Sequence, residues 1–173
     1  MTDPAVLLDE AGVAAAVEAC ADQVAGWADD ETIAVCLLTG GLWFAADLLR
    51  ALSRRGVSPL FDALWVASYG DEKKSAGAVA VRAGLQRPAH GRKVLIVDDV
   101  FDTGASLVES VAIVRAAGAG EVRTAVFARK PFDRDRGLTP DYVAWEAPSR
   151  YLVGYGMDAA GRLRGLPYVG ALD

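Results

Sequence analysis

The sequence predicts an α/β protein in which a twisted, mainly parallel sheet is flanked by helices. Two observations support this prediction. Short apolar segments of strand length alternate with longer amphipathic or alanine-rich segments of helix length. No repeat, low-complexity tract or linker divides the 173 residues, which suit one domain. Strands that alternate with helices are joined by crossover connections, and these favour parallel pairing.

Each predicted helix or strand follows from the local spacing of apolar residues and from the turn residues that end it. The first helix has apolar residues at spacings of three or four, and glycines or polar turns end most of the strands. The predicted helices are residues 10–28, 42–53 and 105–117. The predicted strands are residues 32–38, 60–68, 79–85 (an edge strand), 92–97, 122–127, 142–145 and 151–153. Ligands bind beyond the carboxyl ends of strands in such sheets, so the polar segments there are the candidate sites.

Composition excludes several classes of protein. Hydrophobic residues make up 53% of the chain and charged residues 24%, as in ordinary globular proteins. No apolar run approaches the ~18 residues that span a bilayer, and the N-terminus lacks the pattern of a signal peptide, so we expect a cytoplasmic protein without membrane contact. The net charge of −5 argues against a nucleic-acid partner. Two cysteines without CxxC spacing and a single histidine, His90, argue against a zinc site.

The most informative segment is residues 94–107, VLIVDDVFDTGASL. An apolar strand ends in Asp98 and Asp99, and a D-T-G-A-S turn then leads into a helix. Unpaired backbone N–H groups and the helix dipole make such a turn suitable for a phosphate. The turn alone fits a capped helix equally well. The paired acids favour a ligand site, because burying adjacent carboxylates is costly without a cation or hydroxyl partners.

Two other nucleotide-binding motifs are missing from the sequence. No G-x-x-x-x-G-K-[ST] motif is present, which argues against a P-loop enzyme. No G-x-G-x-x-G follows a strand, which argues against a dinucleotide-binding fold.

The run VLIVDDVFDTGAS resembles the phosphoribosyl pyrophosphate signature of type I phosphoribosyltransferases over thirteen positions. Three further segments resemble hypoxanthine-guanine phosphoribosyltransferases in the same order: TGGLWFAADLL at 39–49, SYG at 68–70, and DYVAWEAPSRYLVGYGMD at 141–158. The resemblance extends from about residue 35 to the C-terminus. It implies a type I phosphoribosyltransferase-like fold with a small hood built from the terminal segments, all within a single domain of residues 1–173.

The resemblance implies roles for the residues that bind the sugar. The family's loop for the ribose 5-phosphate is matched by Asp102, Thr103, Gly104, Ala105 and Ser106. Asp98 and Asp99 match the acids that hold the ribose hydroxyls, directly or near a magnesium ion. Asp102 also matches the residue proposed as a catalytic base near purine N7. The purine loses a proton as the bond forms at N9, and a nearby carboxylate can accept it.

The base-binding residues are implied in the same way. Lys130 matches the lysine that contacts the purine 6-oxo group, and an ammonium donor there would disfavour adenine. Tyr151 matches the ring that stacks on the purine, and Leu152 would offer backbone groups to the base edge. Asp158 matches an acid beside the base that helps to hold a second magnesium ion. Without the resemblance, Lys130 would be interpreted as an exposed lysine in a basic loop and Tyr151 as a packing residue.

Pyrophosphate binding and lid closure are implied for four further segments. Thr39 and Gly40 stand where the family often has Lys-Gly in a tight, sometimes cis, peptide. The Thr39 hydroxyl therefore replaces the positive charge of that lysine. Arg164 matches an arginine that contacts pyrophosphate, although a solvated arginine fits equally well. Ser68 and Tyr69 match the start of a mobile lid, and the small polar residues at 71–77 suit one.

The implied activity is purine salvage. A 6-oxopurine, hypoxanthine or guanine, reacts with phosphoribosyl pyrophosphate in the presence of Mg²⁺, giving a nucleoside 5′-monophosphate and pyrophosphate. Asp98, Asp99 and Asp158 are the implied metal ligands, and a homodimer or homotetramer is expected from the resemblance. Two alternatives stay open at this point: a phosphoribosyltransferase for xanthine or another base, and a regulator with the same fold that binds nucleic acid.

Overall fold

A computed structural model of the chain describes residues 3–68, 79–132 and 137–172. Its main sheet has six strands, in the order β4-β3-β2-β5-β6-β7. These strands are β2 (Ile33–Leu37), β3 (Leu60–Ser68), β4 (Val79–Ala83), β5 (Lys93–Phe101), β6 (Glu121–Arg129) and β7 (Tyr142–Glu146). The strands β3, β2, β5, β6 and β7 run parallel, and β4 pairs antiparallel at one edge. The predicted α/β fold with a mainly parallel sheet is confirmed.

Three helices cover the two faces of this sheet. They are α1 (Glu10–Ala25), α2 (Leu42–Arg54) and α3 (Ala105–Ala116). Buried residues of α1 and α2 belong to one apolar cluster, and those of α3 belong to a second. Neighbouring residues of β5 are divided between the two, with Leu95 and Val97 in the first cluster and Val94 and Ile96 in the second. The alternating directions of side chains along a strand therefore place helices on both faces.

A second, three-stranded antiparallel sheet joins the two ends of the chain, in the order β1-β9-β8. Its strands are β1 (Ala5–Leu8), β8 (Tyr151–Val153) and β9 (Val169–Leu172). Leu152 and Val169 belong to the same apolar cluster as α1 and α2. The small sheet therefore packs over one face of the main sheet.

The structure differs from the sequence-based expectation in a few places. β5 extends through Asp98 and Asp99 to Phe101, because parallel pairing with β6 continues as far as the partners Phe101 and Arg129. The two terminal strands, β1 and β9, were not predicted. Val108 is apolar but 36% exposed on α3, because one stripe of that helix is enough to cover the sheet. No helix among the described residues has the length and apolarity needed to cross a membrane.

Candidate active site

The carboxyl ends of β2 and β5 open into a cleft of about 440 Å³. Parallel strands end at the same edge, so loops that are distant in sequence meet there. Its lining residues from the predicted site are Gly40, Asp98, Asp99, Asp102, Thr103, Gly104, Ala105, Ser106, Asp158 and Arg164. Most of the residues expected to bind the sugar and pyrophosphate are therefore brought together.

The turn after β5 forms the floor of this cleft. Gly104 is the N-cap of α3, and its φ of 83° lies in the left-handed region that favours glycine. The Asp102, Thr103 and Ser106 residues are exposed beside it. The N-cap Gly104 has no side chain to bond the first amide groups of α3, and the Ala105 amide makes only a long contact of 3.5 Å with the Thr103 hydroxyl. These amide groups are therefore well placed to donate to an anion. The alternative interpretation of Asp102 as a helix cap is wrong.

Asp98 and Asp99 are half-buried carboxylates at the end of β5. An oxygen of Asp98 accepts a hydrogen bond from the Asp99 amide at 2.9 Å, and one of Asp99 accepts from the Val100 amide at 2.7 Å. Burial raises the pKa of Asp98 well above its usual range, and the adjacent Asp99 charge adds to this. Burial also raises the pKa of Asp99, opposed in part by the Val100 amide and the Arg164 charge. Ionising both acids therefore requires a cation or hydroxyl donors.

The turn after β2 lies directly against this acid pair. The peptide between Leu38 and Thr39 is cis. A Cβ atom on Gly40 would stand 1.8 Å from an Asp99 carboxylate oxygen, and one on Gly41 would stand 2.7 Å from the Leu37 carbonyl. Both positions therefore require glycine, and the backbone of this turn reaches the cleft without side chains in the way.

Lys130 and Asp102 form an ion pair at the next strand end. The lysine Nζ donates to an Asp102 carboxylate oxygen at 2.9 Å. The lysine side chain is only 14% exposed, whereas that of Asp102 is 52% exposed. The Lys130 amide also donates to the Phe101 carbonyl, so β5 and the end of β6 hold the pair in register. A donor and an acceptor are thus fixed side by side.

The small sheet and the segment between its strands β8 and β9 hold the remaining predicted residues. The Tyr151 ring is exposed, and its hydroxyl donates to the Asp158 carbonyl at 3.1 Å. The Leu152 side chain is buried, while its backbone pairs with Ala171. Asp158 forms an ion pair with Arg164 at 2.6 Å and accepts from an amide at 2.6 Å. Arg164 therefore has a structural partner at the cleft rather than a purely solvated position.

Not all predicted residues line the cleft. Lys130 lies in a neighbouring cavity of about 500 Å³, which also contains Phe101 and Phe132. Thr39, Tyr151 and Leu152 are outside the lining. Thr39 precedes Gly40, which lines the cleft, and the Tyr151 hydroxyl donates to the carbonyl of Asp158, which also lines it. Of the lid residues, Ser68 ends β3 and only its backbone is described; Tyr69 and residues 71–77 lie outside the described residues.

Sequence reasoning missed several contributors to the site. Apolar residues form part of the wall: Leu37, Leu38, Val66, Val100 and Phe101. Gly156 is a further one, since a Cβ there would stand 2.1 Å from the Gly40 carbonyl oxygen. The Gly-Tyr-Gly spacing at 154–156 is a signal of close backbone approach that could have identified it.

The acids suit a hard cation, but they do not form a complete cage. Among the described residues, no three acidic, histidine or cysteine side chains converge as a metal-binding set. Mg²⁺ commonly takes one or two carboxylates together with phosphate oxygens and water. Burial opposes the ionisation of Asp98 and Asp99, and a cation would offset this. The pair therefore fits a site in which the protein supplies only some of the Mg²⁺ ligands.

Comparison with known proteins gives consistent matches. The model of the phosphoribosyl transferase domain matches residues 7–159. The chain is 33% identical over 152 residues to the hypoxanthine-guanine phosphoribosyltransferase of Bacillus subtilis, covering 88% of this chain and 83% of that protein. It is 34% identical to that of Mycobacterium tuberculosis over 143 residues, 83% and 69% of the two chains.

Solved structures of similar proteins have the same fold as this chain. The hypoxanthine-guanine phosphoribosyltransferase of Bacillus anthracis has a TM-score of 0.89 at 26% identity, covering 100% of this chain and 99% of that one. The hypoxanthine-guanine phosphoribosyl transferase of L. donovani has a TM-score of 0.88 at 27% identity, covering 97% of this chain and 95% of that one.

Proposed function

We propose a reaction for this chain from the premise that it belongs to the hypoxanthine-guanine phosphoribosyltransferase family. It transfers the phosphoribosyl group of phosphoribosyl pyrophosphate to a 6-oxopurine. The bond between the sugar C1 and the purine N9 forms as the bond from C1 to pyrophosphate breaks. One observation carries the assignment: a sheet edge that holds a phosphate turn, an acid pair and the Lys130–Asp102 pair together.

The sugar fits between the phosphate turn and the acid pair. The 5′-phosphate would accept hydrogen bonds from the first amides of α3 and from the Thr103 and Ser106 hydroxyls. The ribose hydroxyls would donate to Asp98 and Asp99 at the end of β5. This arrangement fixes C1 relative to the base, which removes much of the entropic part of the barrier.

The base fits against the Lys130–Asp102 pair. Lys130 would donate to the 6-oxo group, and Asp102 would accept the proton at N7. The lysine Nζ and the Asp102 carboxylate oxygen are 2.9 Å apart, so a donor and an acceptor would face the same edge of the base. The exposed Tyr151 ring would stack on the purine, with Leu152 backbone groups and Asp158 at its other edge.

Pyrophosphate would lie between the turn at 39–41 and Arg164. Thr39 offers a hydroxyl, Gly40 offers backbone, and the arginine offers paired donors for phosphate oxygens. Asp98, Asp99 and Asp158 would hold Mg²⁺ together with the substrate's own oxygens. Bound Mg²⁺ neutralises charge on pyrophosphate and so makes it a better leaving group.

The remaining expectations belong to this proposal. Ser68 and Tyr69 would begin a lid that excludes water from the reacting sugar. The whole chain would act as one domain, with the β1-β9-β8 sheet as its hood. A cytoplasmic homodimer or homotetramer without nucleic-acid partners is the expected form.

A direct assay tests the function. The protein is incubated with phosphoribosyl pyrophosphate, Mg²⁺ and one purine at a time, and nucleotide formation is followed by chromatography. Hypoxanthine and guanine should be converted, and adenine should be a poor substrate. Conversion of xanthine alone would favour the other-base enzyme, whereas no conversion together with a nucleic-acid gel shift would favour the regulator.

We expect an anion at the phosphate turn. In crystals grown with sulfate, phosphate or a purine nucleotide, the phosphate-like group should contact residues 102–106, because the first amide groups of α3 follow a glycine N-cap and can donate to an anion. A crystal structure at ordinary resolution checks this. A bound nucleotide whose 5′-phosphate lies elsewhere would remove the turn from the proposed site.

Asp102→Asn should lower kcat by about ten-fold or more while leaving the melting temperature nearly unchanged. The amide keeps the size of the side chain but cannot accept the N7 proton. Stability should hold because Gly104, and not Asp102, is the N-cap of α3. Asp22→Asn, at an exposed carboxylate on α1, is the matched control and should leave kcat unchanged. Wild-type kcat in Asp102→Asn at saturating substrates would exclude the base role.

A further inference from the structure

Tyr155 reaches from the loop after β8 to helix α2 in an unusual backbone conformation. Residues 154, 155 and 156 have φ angles of 89°, 46° and 98°, and Tyr155 is the member of this set that is not glycine. L-residues seldom adopt positive φ without compensation. Here the conformation directs the ring into the core, 4.6 Å from the Phe127 ring centroid. The ring is 4% exposed, and its hydroxyl donates to an Asp47 carboxylate oxygen at 2.9 Å.

The loop that Tyr155 anchors is in contact with the proposed pyrophosphate residues. Gly156 lies so close to the Gly40 carbonyl that a Cβ would stand 2.1 Å from its oxygen. The Gly156 amide donates to the Arg164 carbonyl at 3.0 Å, and the arginine side chain donates back to the Gly156 carbonyl. Arg164 also pairs with Asp158 at the end of the loop. The loop therefore determines where Arg164 stands relative to Gly40.

Helix α2 positions the other side of the same subsite. It begins at Leu42, directly after residues 39–41, and carries Asp47. The second Asp47 oxygen accepts from Arg50 at 2.8 Å, which holds the carboxylate in place. The base-side strand β8 is fixed separately, through its pairing with β9. The Tyr155 hydroxyl thus connects the Arg164 loop to the helix that follows Gly40. The same loop carries Asp158, whereas Tyr151 and Leu152 of the proposed base subsite lie on β8.

We propose that the Tyr155–Asp47 hydrogen bond makes Tyr155 a positioning residue for pyrophosphate, setting the spacing between Gly40 and Arg164. This inference rests on the proposed function for its ligand. It assigns to Tyr155 and Asp47 an effect mainly on the pyrophosphate end of phosphoribosyl pyrophosphate, and at most a small one on the purine, which Asp158 of the same loop would contact at one edge.

The test is a set of variants with two independent measurements. Tyr155→Phe, Asp47→Ala and the double variant are assayed for KM of phosphoribosyl pyrophosphate and of hypoxanthine. Pyrophosphate binding with Mg²⁺ is measured by calorimetry, which needs no turnover. Each single variant should raise the KM for phosphoribosyl pyrophosphate and the Kd for pyrophosphate by about ten-fold, as expected for one lost hydrogen bond. The double variant should be no worse than either single, because both remove the same bond.

Three controls distinguish positioning from packing. Asp47→Asn keeps an acceptor for the hydroxyl and should restore most of the affinity. Arg50→Ala removes the other Asp47 partner and should change both constants by less than about two-fold. The KM for hypoxanthine should stay within about two-fold in every variant. A lower melting temperature in Tyr155→Phe with unchanged constants for both pyrophosphate ligands would overturn the proposal. A wild-type protein that binds pyrophosphate but forms no nucleotide would overturn the proposed function, while the calorimetric comparison would still decide the role of Tyr155.

Discussion

Chelation of divalent cations should reduce nucleotide formation by about a thousand-fold or more. Pyrophosphate carries several negative charges, and the only cationic residue lining the described cleft is Arg164, which already pairs with Asp158. Without Mg²⁺ the leaving group would remain poorly neutralised beside Asp98 and Asp99. The measurement is the rate of nucleotide formation in excess chelator, followed by titration of Mg²⁺ back to saturation.

Variants of the acid pair show whether the metal acts at the proposed place. Asp98→Asn and Asp99→Asn should raise the Mg²⁺ concentration needed for half-maximal rate, because each removes a charged oxygen ligand. Asp141→Asn, at a carboxylate that accepts from Thr124 at the opposite end of β6, is the matched control and should leave that concentration unchanged. Full turnover in excess chelator would refute the metal requirement.

Lys130→Ala should lower kcat/KM for hypoxanthine and guanine by about a hundred-fold or more. The purine 6-oxo group would lose its charged donor, and Asp102 would lose the partner that holds it at 2.9 Å. The Lys130→Ala variant should lose much less thermal stability than activity. The parent protein should use adenine poorly, since an amino group at position 6 offers the lysine no acceptor on the base. Steady-state rates with the three bases, together with thermal melts, measure both effects.

The neighbouring arginine provides a matched control for this change. Arg129→Ala removes a positive charge one residue away, but that charge pairs with Glu146 rather than with Asp102. Its kcat/KM should stay within about two-fold of the parent value. Equal rates with adenine and hypoxanthine in the parent protein would contradict the role given to Lys130.

The local features of the fold were predictable from the sequence, and the long-range ones were not. The segments that became β2, β3 and α2 have clear periodicity and turn residues, so their bounds are close to the prediction. β1 and β9 have four residues each and depend on pairing within the three-stranded sheet, where β9 lies between β1 and β8. The pairing of Ala5 with Ala171 joins opposite ends of the chain. Neither periodicity nor propensity contains information about such a contact.

In the candidate site, too, the local arrangement was predictable from the sequence and the long-range contacts were not. Asp98, Asp99 and the 102–106 turn lie in one continuous motif, and their meeting in the cleft followed from the sequence. The pairing of Lys130 with Asp102 joins two strand ends 28 residues apart, and only the family resemblance pointed to it. The Tyr155–Asp47 contact spans 108 residues and depends on a tyrosine with positive φ, so no local pattern could have indicated it.

The terminal sheet has a consequence for the order in which the protein is made. On the ribosome, β1 (Ala5–Leu8) is synthesised long before its partner strand, β9 (Val169–Leu172). β8, which carries Tyr151, also waits for β9. Until then both strands present unpaired edges to other chains. A protease that removed residues 169–172 from the finished protein would expose the same two edges at once. The nascent chain and the trimmed chain are therefore both open to aggregation at β1 and at β8, the strand that would hold the purine.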